Sequence, residues 1–258
     1  MNEQNPYQSP AAFPPPLPVD KRPWNGWWTL LWAVGLFFLW QIVVTVGIVI
    51  AGIKKGIFED IDELDSNLEA LMFDGDVIGL VTFATLFFIC PVCWLIGQVR
   101  PGFSGLEYLG SERVKWWQWI FWGGLTVAMA YLFGLVAPSM GVEDPDDSMV
   151  AMAKTTTVPL YLYLGVGIGA PLIEEFVFRG VLWRGCRNSR LGLPGTLIVT
   201  SFCWTILHVQ YPVPILSFLF VLGLILGYAR EKTGNVWVPV FMHAVNNALA
   251  TLEILSLR

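Results

Sequence analysis

The fold of this chain is decided by the stretch from Ile173 to Gly180, which reads IEEFVFRG. This stretch places Glu174, Glu175 and Arg179 inside a helix that is otherwise apolar. An acidic or basic side chain at the centre of a membrane helix costs about 2.5–3.5 kcal/mol, so three of them facing lipid would cost roughly 7–10 kcal/mol. A chain keeps such groups only where they are paired, hydrated or used. The stretch therefore indicates a functional site inside a membrane protein.

The composition around this stretch is that of a membrane protein. The chain has 258 residues, 55% of them hydrophobic and only 14% charged, and its mean hydropathy is +0.60. Several apolar runs exceed the roughly 18 residues that indicate a membrane span. The sequence has no basic stripe, which argues against nucleic acid as a partner. We therefore predict an all-α, polytopic helix bundle whose first partner is the lipid bilayer.

About seven apolar spans follow a proline-rich start. Residues 1–23 cannot build a core, and we predict a disordered cytoplasmic arm there. Residues 24–154 are predicted to hold the N-terminal transmembrane helices, and residues 155–258 the helices with the polar site. The predicted spans are 24–53, 77–99, 116–142, 158–183, 194–211, 213–230 and 236–257.

The basic residues of the connecting loops predict the orientation in the membrane. With seven spans the two termini lie on opposite sides, and one side receives eleven of the 15 Lys and Arg residues, Arg230 among them. The other side receives only Lys54, Lys55, Lys154 and Arg258. We therefore expect a multi-pass protein of the plasma membrane with a cytoplasmic N-terminus.

Two more polar clusters lie in later spans. One runs from Trp204 to His208 and reads WTILH, and the other runs from His243 to Asn247 and reads HAVNN. They contain the only two histidines of the chain, and both fall in apolar segments. A lone membrane histidine is more often a packing residue, but two in different spans, beside an acidic helix, predict a shared polar site.

Helical spacing separates the roles of the acidic pair. Glu175 and Arg179 are four residues apart, in the order that favours an ion pair on one helix face. Glu174 has Phe178 at the corresponding place and therefore no local cation. We predict that Glu175 and Arg179 form a fixed ion pair and that Glu174 is the carboxylate that reacts.

The depth of these residues in the membrane sets a condition on the fold. In straight spans, Glu174 and His208 would differ in depth by about a third of the hydrocarbon core. They meet if the fourth span continues beyond the membrane surface towards Arg187 while the fifth begins below that surface. The basic stretch 184–190 favours such a continuation.

Other intramembrane chemistries lack their motifs in this sequence. There is no H-E-x-x-H, no G-x-S-x-G, no G-x-G-D and no phosphate-binding loop. A carboxylate with two histidines is what remains. In order, Glu-Glu-x-x-x-Arg, aromatic-x-x-x-His and His-x-x-x-Asn resemble the motifs of the CPBP intramembrane proteases. That family includes the type II CAAX prenyl endopeptidases and the bacteriocin-processing and self-immunity proteins.

The resemblance covers roughly residues 155–252 and implies that 155–258 is a CPBP-like catalytic domain. It implies that Glu174 and His208 activate a water that attacks a peptide carbonyl, and that His243 and Asn247 stabilise the oxyanion. The substrate would be a membrane-embedded or lipid-anchored peptide. The resemblance is compatible with a metal-free and with a zinc-dependent reaction, and we expect no cofactor. The residues expected to support the site are Glu175, Arg179 and Trp204. Trp204 stands where the family usually has Phe, which we expect to change packing more than chemistry.

Two alternatives stay open. In a zinc-dependent version of the same protease, Glu174, His208 and His243 would bind the metal and leave a position for water. The metal-free version is favoured because the chain lacks the paired histidine ligands of classical zinc proteases. A non-catalytic immunity or transport protein is the other alternative. Transporters often show repeated halves and broken helices, which the sequence does not indicate.

Overall fold

Helices make up nearly all of the described part of the chain. The computed structural model describes residues 21–59, 62–142 and 147–256, and this part contains no β-strand. Residues 1–20, most of the predicted proline-rich arm, lie outside the described residues. The helices are α1 (Gly26–Lys54), α2 (Leu64–Met72), α3 (Gly75–Gln98), α4 (Gly105–Leu109), α5 (Trp116–Met140), α6 (Asp147–Thr155), α7 (Pro159–Arg187), α8 (Gly192–His208), α9 (Val213–Thr233) and α10 (Trp237–Leu255).

Six of the described helices, α1, α3, α5, α7, α9 and α10, are long and apolar enough to cross a membrane. The prediction of an all-α polytopic bundle is therefore confirmed. The fifth predicted span corresponds to α8, which is apolar but shorter. Its last turn, Ile206–His208, is a 3-10 helix, and Pro212 caps the start of α9 soon afterwards.

The position of α7 is set by its close approach to α3. The two helices meet at Gly79 and Gly165, where a Cβ added to Gly165 would lie 2.2 Å from the carbonyl oxygen of Gly79. Small residues let membrane helices approach closely and pack through van der Waals contact. At the start of both helices, Asp76 accepts hydrogen bonds from the backbone N–H groups of Thr157 and Val158, each at 3.1 Å. Asp76 of α3 therefore supplies acceptors for N–H groups beside the start of α7.

The α7 helix is not uniform along its length. It widens into π-helix at Tyr163–Gly169 and again at Phe176–Leu182, with the α-helical segment Ala170–Glu175 between them. π-helical turns are rare and occur frequently at functional sites. The α7 helix also continues to Arg187, as the depth argument requires. Glu174 and Glu175 thus lie at the end of a short α-helical segment between two wide ones.

The far end of α7 is fixed to the short helix α4. The Arg184 side chain donates hydrogen bonds to the carbonyl oxygens of Tyr108 at 2.7 Å and Glu107 at 2.6 Å. Lys21, which precedes α1, pairs with the Glu107 carboxylate at 2.6 Å. The beginning of α1, the helix α4 and the end of α7 therefore lie at the same end of the bundle.

Candidate active site

The predicted ion pair of α7 is present and fully buried. Arg179 Nη1 lies 2.9 Å from Glu175 Oε1, and both side chains have 0% exposed surface. Arg179 Nη2 donates a second hydrogen bond, of 3.1 Å, to the carbonyl oxygen of Gly223 in α9. A buried pair repays its desolvation only when further hydrogen bonds satisfy its remaining groups. Gly223 supplies one of these and fixes α7 against α9.

His243 of α10 lies between the two glutamates. Its Nδ1 is 3.0 Å from Glu175 Oε1, and its Nε2 is 3.8 Å from Glu174 Oε2. An ionised carboxylate only accepts hydrogen bonds, so the proton of this bond belongs to Nδ1. The ring is therefore held by Glu175, and Nε2 is the nitrogen that faces Glu174.

Glu174 is held from the other side by Trp204 of α8. The indole Nε1–H of Trp204 donates a hydrogen bond to Glu174 Oε2. The Trp204 ring is 1% exposed, whereas the Glu174 side chain keeps 10% of its surface exposed. We expected a Trp in place of Phe to change packing more than chemistry. The structure adds a contact that Phe could not make, because the indole N–H is a donor to the carboxylate that the motif singles out.

His208 lies at the end of α8, against the same tryptophan. The centroids of the His208 and Trp204 rings are 5.2 Å apart, and His208 Nδ1 is 3.1 Å from the carbonyl oxygen of Trp204. A carbonyl oxygen only accepts, so this bond requires a proton on Nδ1. In the neutral ring, Nε2 then carries the lone pair and can accept a proton.

Asn247 is one turn from His243 on α10 but has a different partner. Its Nδ2 donates a hydrogen bond of 2.9 Å to the carbonyl oxygen of Val166, in the first π-helical segment of α7. Among the described residues, no hydrogen bond joins Asn247 to Glu174, His208 or His243. The structure therefore brings Asn247 to α7 without bonding it directly to the other predicted catalytic groups.

Two residues that sequence reasoning missed complete the cluster. Gly223 contributes only its carbonyl oxygen, which no side-chain pattern can reveal. Arg230, the last residue of a predicted span, was used only to predict the orientation, yet it is 4% exposed and donates hydrogen bonds of 3.0 Å to the carbonyl oxygens of Arg179 and Leu109. The sequence signal was its position at the end of an apolar span. The predicted residues joined by hydrogen bonds or ring contacts are Glu174, Glu175, Arg179, Trp204, His208 and His243.

The proposed metal ligands do not form a three-ligand site in this arrangement. Within residues 21–59, 62–142 and 147–256, no group of three His, Cys, Asp or Glu side chains could hold a metal ion. Trp204 is bonded to Oε2 of Glu174, and the Nδ1 bonds of both histidines orient the rings and leave Nε2 as the nitrogen that could bind a metal. A zinc site with three protein ligands needs all three donor atoms directed at one point, and the described residues contain no such group.

Comparison with known proteins identifies a family and two relatives of this chain. The model of a family described as "Type II CAAX prenyl endopeptidase Rce1-like" matches residues 156–249, which include every predicted site residue. An uncharacterized 24.3 kDa protein of Escherichia coli is 35% identical over 159 residues, covering 59% of this chain and 71% of the relative. The uncharacterized protein YpbD of Bacillus subtilis (strain 168) is 28% identical over 142 residues, covering 52% and 69%. No solved structure matches the chain. This multi-pass membrane protein belongs to the Rce1-like, type II CAAX prenyl endopeptidase family of CPBP intramembrane proteases.

Proposed function

We propose that the protein is an endopeptidase that hydrolyses a peptide bond of a membrane-embedded or lipid-anchored peptide, with Glu174 as its general base. One observation carries this assignment. Of the two adjacent carboxylates, Glu175 is fully buried and paired, whereas Glu174 keeps 10% of its side-chain surface exposed at the edge of the same cluster. A carboxylate that keeps some exposed surface beside two histidines has the group types that general-base hydrolysis uses.

In the proposed reaction, Glu174 takes a proton from a water while the water oxygen attacks the carbonyl carbon of the scissile bond. His208 assists at the water, because its Nδ1 is bonded to a carbonyl and its Nε2 carries the lone pair. The tetrahedral intermediate then collapses, the C–N bond breaks, and Glu174 returns the proton to the leaving amine. One water is consumed, and a new carboxyl and a new amine are formed.

His243 and Asn247 are the proposed donors to the oxyanion. An amide –NH2 group has two donors, and the bond from Asn247 to Val166 uses only one of them. His243 can donate from Nε2 when both ring nitrogens carry protons, with its Nδ1–H held by Glu175. Donors that are fixed before the reaction in a water-poor site stabilise developing charge strongly.

The first prediction tests Glu174 directly. Glu174→Gln keeps the size of the side chain but removes its basicity, so we expect cleavage in reconstituted membranes to fall by about 10²–10⁴-fold. Cleavage is measured by mass spectrometry of peptide products. Glu253→Gln, at an exposed carboxylate of α10, is the matched control and should cleave like the wild type. Wild-type rates in Glu174→Gln would remove the assignment, and solute flux without any cleavage would favour a transporter.

We propose the metal-free form of the reaction because the chain lacks the paired histidine ligands of classical zinc proteases. Elemental analysis of purified, active protein separates the two forms. The metal-free form predicts far less than one zinc per chain and activity that survives a chelator. One zinc per chain, lost together with activity and restored with it, would establish the zinc form.

We also propose that the N-terminus is cytoplasmic and that the protein lies in the plasma membrane. The support is the excess of basic residues at one end of the bundle. Lys21, Glu107 and Arg184 meet there, so the start of α1 shares the side of the basic end of α7. A protease-accessible tag at the N-terminus should be protected in intact cells, and its cleavage from outside would reverse the orientation.

A further inference from the structure

Trp204 is the side chain around which the site is assembled. Its ring centroid lies 5.2 Å from the ring of His208 and 5.2 Å from the ring of His243, and it has the Arg179 guanidinium carbon 5.0 Å away. Its indole N–H reaches the carboxylate of Glu174. No other ring in the described part of the chain has contacts with all four of these side chains. A buried indole N–H requires an acceptor, and the acceptor that Trp204 finds is the carboxylate of Glu174.

The hydrogen bond from the indole also makes the two carboxylate oxygens of Glu174 different from each other. Oε2 is the atom that accepts from Trp204, and it is also the atom that lies 3.8 Å from His243 Nε2. A distance of 3.8 Å is too long for a hydrogen bond. A carboxylate that lost the indole donor would have His243 as the nearest polar partner for the same oxygen. Shifting towards His243 would then join the general base to the group that is proposed to bind the oxyanion.

We propose that the N–H of Trp204 is a positioning device that holds Glu174 Oε2 apart from His243 Nε2 and so leaves Oε1 for the water. This inference rests on the proposed function, since it assigns Glu174 as base and His243 as oxyanion donor. Phe, the residue that the family resemblance leads one to expect at this place, has no donor and cannot hold the carboxylate. The chain therefore has a means of fixing its base that an aromatic ring alone does not supply.

The kinetic test removes the N–H of Trp204 while keeping an aromatic side chain at this position. Trp204→Phe, and site-specific replacement of Trp204 by benzothienylalanine, which carries sulfur in place of the N–H, should lower kcat about 10- to 100-fold, the size of a hydrogen bond to a charged group. KM should stay within about twofold, because no substrate contact is removed. Replacement of Trp204 by fluorotryptophan retains the indole N–H, so this protein should keep a kcat close to that of the wild type. Trp122→Phe, at a buried tryptophan of α5, is the control. A benzothienylalanine protein with the wild-type kcat would overturn the proposal.

A spectroscopic test reads the bond without any reference to activity. The indole 15N–1H resonance of Trp204 is assigned by its loss in Trp204→Phe, in protein held in lipid nanodiscs. It should move upfield in Glu174→Gln, because a neutral amide accepts a weaker hydrogen bond than a carboxylate. The same resonance in both proteins would overturn the proposal. If the shift occurs while Glu174→Gln still cleaves its substrate, the bond exists but the catalytic assignment of Glu174 is wrong, so the two failures are distinguishable.

Discussion

The helices α1 and α7 have the same length, 29 residues, but they differ in their content of charged residues and in how much of their surface is buried. α1 contains one charged residue, Lys54 at its end, and buries only Thr29, Leu36 and Gly52. Trp27, next to its start, is 78% exposed. α7 contains five charged residues, and all seven residues of its second π-helical segment are buried. The more polar of the two helices is thus the one that the protein encloses.

This contrast follows from the solvent. Lipid tails are as apolar as leucine, so a membrane protein gains little by burying the side chains of α1. An ionised group in the same place must find partners inside the protein. The six polar residues of the site therefore draw α7, α8, α9 and α10 together, while α1 needs only to fill its length with apolar residues. The bundle thus encloses its ionised groups in an interior that is otherwise mostly apolar.

Among the variants that test this contrast, the largest loss of stability is expected when the buried ion pair of α7 is broken. Arg179→Leu leaves Glu175 as a buried charge without its cation and with only the hydrogen bond from His243, so the free energy of unfolding should fall by about 3–5 kcal/mol. Unfolding is monitored as the loss of the helical circular dichroism signal while the fraction of denaturing detergent in mixed micelles is increased. The double variant Glu175→Gln with Arg179→Leu should recover part of the loss, because no unpaired charge remains. A loss as large in the double variant as in the single one would show that the guanidinium acts through packing alone.

A smaller change in stability is expected when one glycine of α7 and one glycine of α1 are each replaced by alanine. Gly165→Ala places a methyl group against the backbone of α3 and should lower the free energy of unfolding by about 1–3 kcal/mol. Gly35 of α1 has no atom within 4 Å of an added Cβ. Gly35→Ala should therefore be neutral or stabilise the protein by up to about 1 kcal/mol. The same detergent titration measures both variants, and equal effects would mean that α3 and α7 do not approach as closely as described.

The parts of the fold that the sequence predicts are those set by local chemistry. The spans agree with the helices to within a few residues, because proline, glycine and charged residues interrupt the apolar runs. The pair of Glu175 with Arg179 follows from helical spacing alone. The predicted shape of an all-α bundle needs no more than these patterns.

The parts that the sequence does not predict arise between distant segments. No pattern of side chains in the sequence predicts the two π-helical segments of α7. The bond from Trp204 to Glu174 requires α8 to meet α7 at one depth, and the bond from Asn247 to Val166 requires a carbonyl oxygen whose direction depends on the first π-helical segment. Arg230 looks like a charge at the end of a span until its carbonyl partners are known. In each case one partner is a backbone atom or lies on another helix.

The central claim is that the enclosed polar cluster hydrolyses a peptide bond through Glu174. The most direct measurement is cleavage of a membrane-embedded peptide by the reconstituted protein in water enriched in 18O, read by mass spectrometry. The account predicts that the wild type places one 18O atom in the new carboxyl group and that Glu174→Gln forms almost none of this product. Labelled product formed equally fast by Glu174→Gln would contradict the account.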